Sequence, residues 1–174
     1  MSTVVVDTNV ILVANGMAPQ MSDCCQMRCI DRLAQARDGD RVVIDEQYFI
    51  LGEYQNKLDP NRHPPGPGKA FVKYLLQNMA NPARVSLVKL TPTNHEQTEF
   101  LEFPNDADLR RAFDPSDRKF VAASHAHSDK PPILEAADSK WLGWEAQLLS
   151  HGIRVEFLCR KELEGIRQRK SIEA

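Results

Sequence analysis

Three β-branched valines followed by an acid, Val4-Val5-Val6-Asp7-Thr8-Asn9, constrain the fold more than any other stretch of the chain. A continuous apolar run of this kind reads as a strand buried on both faces, and so as a sheet covered by helices. Asp7 stands where that strand ends, and a second apolar stretch, Val10 to Val13, follows. In a parallel α/β sheet, ligands bind at the carboxyl ends of strands, so an acid there is placed for chemistry. It is equally placed for the simpler task of capping the next helix.

The same alternation continues downstream. Asn9–Asn15 reads as a short helix, and Ser22 as the N-cap of a helix running to about Arg37, with Met27, Ile30, Leu33 and Ala34 at helical spacing. Asp38-Gly39-Asp40 is a stop and turn, Val42-Val43-Ile44 a second strand, and Asp45 a cap for a helix carrying Tyr48, Phe49, Leu51, Tyr54 and Leu58. From Asp59 to Gly68, four prolines and two glycines mark an irregular loop. A helix is expected from about Lys69 to Asn81 and a third strand over Val85–Leu90; residues 91–113 are polar, with a helix expected near Glu96–Glu102. A further helix follows Asp117. A strand from Ile133 then reaches Ala136, Ala137 and Asp138, a helix opens at Ser139 and ends at Gly152, and Ile153–Leu158 is the last strand. Strands alternating with helices imply an α/β fold: a parallel sheet between two helical layers.

At 174 residues, the chain is one domain with enough length for a real core. With 42% hydrophobic and 26% charged residues it has the composition of a soluble globular protein, and no stretch approaches the ~18 apolar residues of a membrane span. No basic region or cleavage site marks a secretory signal, so a cytoplasmic setting is expected. A net charge of −2 gives no global attraction to nucleic acid, which leaves local patches to supply it. Cys24, Cys25, Cys29 and Cys159 do not form two pairs at zinc-ligand spacing, and read as small hydrophobes in a reducing compartment. His125 and His127 would point about 200° apart on a helix and read as surface residues.

Four acids recur at element boundaries or on helix turns: Asp7, Glu53, Asp117 and Asp138. Carboxylates gathered in one cleft raise one another's pKa, so such a group is kept mainly to hold a cation. Oxygen ligands without His or Cys suit Mg²⁺ or Mn²⁺ rather than zinc, and such sites support metal-assisted attack of water on a phosphodiester.

These segments resemble PIN domains. The likeness rests on Val4-Val5-Val6-Asp7-Thr8-Asn9-Val10, on Ile50-Leu51-Gly52-Glu53-Tyr54, on Asp117-Arg118-Lys119-Phe120-Val121-Ala122-Ala123 and on Ala137-Asp138-Ser139, and covers roughly residues 3 to 158. It is similar to the stand-alone, prokaryotic, VapC-toxin-like form. The resemblance implies a three-layer α/β/α sandwich with a five-stranded parallel sheet of order 3-2-1-4-5, over residues 1–158, and a charged C-terminal tail, 159–174. It also implies a Mg²⁺- or Mn²⁺-dependent endoribonuclease in which Asp7, Glu53 and Asp117 are the core metal-binding and catalytic acids. Asp138 takes the more variable fourth place, and Thr8 and Asn9 support the site. The chain departs from the pattern at Ala136, where many relatives have Thr, and at Lys140, where many have a second Asp. Asp114 reads as a turn residue ahead of Pro115.

A haloacid-dehalogenase-type phosphatase would need a second acid two residues after the first, where this chain has Asn9. The readings left open are an RNA-processing enzyme with DNA as another substrate, the toxin of a toxin–antitoxin pair with an antitoxin or other protein partner, and a PIN-like nucleic-acid-binding module with little catalysis. A homodimer is compatible with each. Arg118 and Lys119, beside the third acid, are the candidate substrate-binding cations, with Arg110 and Arg111 next. Arg160, Lys161, Arg167, Arg169 and Lys170 alternate with acids and read as a solvated charged helix.

Overall fold

The computed structural model describes residues 1–59 and 61–173; Pro60, within the proline-rich loop, and Ala174 lie outside them. Five parallel strands stand in the order β3-β2-β1-β4-β5: β1 Thr3–Val6, β2 Arg41–Asp45, β3 Val85–Val88, β4 Ile133–Glu135 and β5 Val155–Phe157. The central strand is the triple-valine run, in register with Arg41 and Val42 on one side and with Ile133 and Leu134 on the other. Val5 and Val6 are fully buried, as a strand covered on both faces must be. Among the described residues no helix is long and apolar enough to cross a membrane.

The strand order reverses between β1 and β4, which both leave their carboxyl ends at the same edge. This is where an open α/β sheet forms its ligand crevice. Helix α1 (Thr8–Ala14) starts there, one residue past the end of β1. Helix α4 (Pro67–Asn78) packs so closely on α1 that a Cβ at Gly68 would stand 2.3 Å from the Ile11 carbonyl oxygen. The glycine thus permits the contact that seats α1. Helix α2 (Asp23–Gly39) is capped by Ser22, whose hydroxyl accepts from the Cys25 amide. Asp45, fully buried, caps α3 (Phe49–Lys57) by accepting from the Phe49 and Ile50 amides, both at 2.9 Å.

Several elements differ from the sequence reading. The segment before Glu102 is not helical: Asn94 accepts from the Thr98 and Glu99 amides, and Pro92 pairs with Phe100 across a bridge. An asparagine that bonds nearby amides offers the backbone an alternative to the helix. The only helix of this region is α5 (Ala107–Ala112), and the region as a whole sends Phe100, Phe103, Leu109 and Phe113 into the core. Strand β4 stops at Glu135, so Asp138 lies in the turn before α7 (Lys140–Ser150) rather than on the strand. His127 is buried, with its Nε2 3.1 Å from the Ser86 hydroxyl, and is not a surface residue.

The cysteines also differ from expectation. Cys25 and Cys159 are buried and joined by a disulfide, their Cα atoms 5.6 Å apart. Cys29, also buried, keeps its thiol, pushed up to about 12 by burial, and Cys24 is exposed. The disulfide fastens the start of α8 (Arg160–Glu173) to α2, and the carboxylate of Glu162 accepts from both the amide and the hydroxyl of Ser22. With Leu163 fully buried as well, the charged C-terminal segment is docked on the domain over its first turn.

Candidate metal centre

The two oxygens of Asp7 have different surroundings. Its Oδ1 accepts from the Asn9 amide at 2.9 Å and caps α1, while its Oδ2, buried beside the Glu135 carboxyl, meets no donor. A buried carboxylate oxygen left in this state is costly unless a proton or a cation meets it. Burial, and then the neighbouring Glu135, hold the Asp7 carboxyl well above the usual carboxylate range.

Around it, the cleft at the carboxyl ends of β1 and β4 collects Thr8, Asn9, Glu53, Asp117 and Asp138, so the structure brings together all four acids singled out in the sequence. Glu53 arrives from α3 and accepts from the Thr8 hydroxyl; its other oxygen is 3.0 Å from the Lys119 Nζ. Asp117 closes a 3₁₀ turn, Pro115–Asp117, and leads into α6, Arg118–Ala126. Its carboxyl is pushed up to about 6, chiefly by burial and then by Asp138. The Oδ1 of Asp138 accepts from the Lys140 amide at 2.9 Å.

Asp114 joins this group. One oxygen each from Asp114, Asp117 and Asp138 lie within 4.8 Å of one another. Lys140 accounts for part of the charge balance, because its ammonium pairs with Asp114. Position 140 thus carries a cation that bonds an acid beside the cleft.

The two candidate substrate cations have separate fates. Arg118 is 8% exposed, and its guanidinium donates to the carbonyls of Arg110 and Phe113 and to Glu99. That corrects the expectation of a substrate contact, for Arg118 is committed to holding the loop before α6. Lys119 faces the cleft, bound to Glu53 and to the Ser116 carbonyl.

Glu135 is the residue the sequence reading missed. It is fully buried, and its Oε1 accepts from the amides of Ala136, Ala137 and Asp138 at 2.9–3.1 Å and from the Asn9 side chain at 2.5 Å. Asn9 in turn accepts from the Ala136 and Ala137 amides. Together they shape the turn that carries Asp138. Burial pushes the Glu135 carboxyl up to about 8, and its Oε2, like Asp7 Oδ2, is buried and unpartnered.

The donor set fits a hard divalent cation. Among the described residues lining the cleft, the ligating groups are oxygens, with no His or Cys. Asp7 Oδ2, buried and unsatisfied, is an atom that such an ion would satisfy. The chain matches no family model, no curated protein and no solved structure.

Proposed function

We propose that this chain is a PIN-like endoribonuclease that uses Mg²⁺ or Mn²⁺ to hydrolyse phosphodiester bonds of single-stranded or structured RNA. The observation that carries the reading is the orphaned Asp7 carboxylate oxygen in an all-oxygen cleft shared with Glu53, Asp117 and Asp138. Asp7, Glu53 and Asp117 are the primary ligands in this reading, with Asp138 the fourth. A bound ion would polarise a water for attack and offset the charge of the phosphate. Thr8 orients Glu53 through its hydroxyl, and Asn9 with Glu135 sets the turn that presents Asp138. Lys119, paired with Glu53 at the cleft, would be placed to meet a phosphate oxygen. The proposed setting is the cytoplasm, where the Cys25–Cys159 pair would be kept reduced.

Cleavage of labelled RNA by two variants tests the ranking of the acids. Asp138 takes the fourth, more variable place in this reading and is therefore ranked the weaker ligand. Asp117→Asn should abolish cleavage at any metal concentration, whereas Asp138→Asn should keep part of the rate and regain more in excess Mn²⁺. Equal losses without rescue would make Asp138 a primary ligand.

A further inference from the structure

Helix α8 runs back along α7 toward the metal cleft, and its charges divide along its length. Near its start Arg160 is paired with Glu145, and Glu162 bonds Ser22. Farther on, Arg167 and Lys170 are exposed and, among the described residues, have no acidic partner within ion-pair distance. The guanidinium of Arg167 lies over α7, so near that a Cβ at Gly143 would stand 3.1 Å from it. The ammonium of Lys170 is 3.5 Å from the hydroxyl of Ser139, the residue next to Asp138. Three residues apart on a helix, the two cations share one face. An open groove between α7 and α8, lined in part by Leu142 and Arg167, lies on that side.

We propose that Arg167 and Lys170 form a phosphate-binding rail that carries the strand flanking the scissile bond away from the metal cleft. This rests on the nuclease reading above. The occupant is the sugar-phosphate backbone of a single strand, because the rail offers unpaired positive charge and begins beside an acid of the cleft. The Ser22–Glu162 bonds and buried Leu163 fix the root of α8 and so hold the rail against α7. Neither cation touches the ligand acids, so the rail contributes grip rather than chemistry.

Binding of a labelled single-stranded RNA, measured by anisotropy over a salt series in EDTA, separates grip from cleavage. The Arg167→Gln/Lys170→Gln variant should bind ~10-fold more weakly, with a salt slope shallower by about 1.4, from two lost contacts at ~0.7 each on a single strand. Arg169→Gln, which removes one charge beside the rail, should keep the wild-type slope. Unchanged urea midpoints would show that the substitutions leave the fold intact. An unaltered slope in the double variant, with RNA still bound and cleaved, overturns the rail alone. No RNA binding by the wild-type chain overturns the rail and the nuclease reading together, and a loss confined to binding an acidic protein overturns the rail in favour of a protein-docking face.

Discussion

Asp7→Asn should lower the cleavage rate by roughly 10²- to 10³-fold, the cost typical of removing a preorganised electrostatic group from an active site. The same substitution should raise the stability of the metal-free protein. Asparagine keeps the carbonyl oxygen that caps α1 at the Asn9 amide, and replaces the unpartnered Oδ2 with an amide that can donate toward Glu135. Relief of one buried oxygen that meets no donor is worth about 1–3 kcal/mol. Two opposite changes, in rate and in urea midpoint, distinguish a functional ligand from a structural cap. Lower stability together with an unchanged rate would show that Asp7 is a cap and nothing more.

Glu135 should show the opposite signature. Glu135→Ala orphans the Asp138 amide and the Asn9 side-chain amide, leaves the Ala136 and Ala137 amides to Asn9 alone, and should cost about 2–4 kcal/mol by urea denaturation. Glu135→Gln keeps the accepting oxygen, and its amide can donate to Asp7, so it should be near wild type at pH 7. The pH dependence has a definite sign. Asp117 near 6 and Glu135 near 8 keep protons in the folded chain that unfolded carboxylates release at about 4. The folded state therefore binds more protons than the unfolded state, and metal-free stability falls as pH rises from about 4 to 8, by up to about 1.4 kcal/mol per proton per pH unit. Mn²⁺ should reverse much of that fall, and Glu135→Gln should lessen its upper part, between about 6 and 8, leaving the share of Asp7. A metal-free stability that climbs across this window would refute the assignment of buried, proton-holding carboxyls.

The sequence carried the sheet because its strands are short apolar runs whose burial leaves little choice. Val4–Val6 and Val42–Ile44 cannot stand at a solvated surface. The four acids were legible because each lies beside such a run or on a helical turn facing one. Glu135 was not, since an acid inside Ile133-Leu134-Glu135 looks like the outward residue of a strand, and only the structure shows it turned inward to bond the next turn. Contacts between distant segments were equally hidden. Cys25 and Cys159 are separated by 134 residues, and Lys140 meets Asp114 across 26. The helix expected near Glu96–Glu102 failed because local side-chain bonds from Asn94 outcompete it. Arg118 looked like a surface cation beside an acid, yet its Nη2 is held by backbone carbonyls brought in by α5 and the loop after it.

The most direct measurement is cleavage of end-labelled single-stranded RNA by the purified chain with Mg²⁺, with Mn²⁺ and with EDTA, beside the Asp7→Asn variant and a DNA strand of matching sequence. Internal cuts in the RNA are expected with either metal, none in EDTA, and cuts roughly 10²- to 10³-fold slower from Asp7→Asn at the same protein concentration. Full cleavage in EDTA, or equal cleavage by Asp7→Asn, would contradict that expectation.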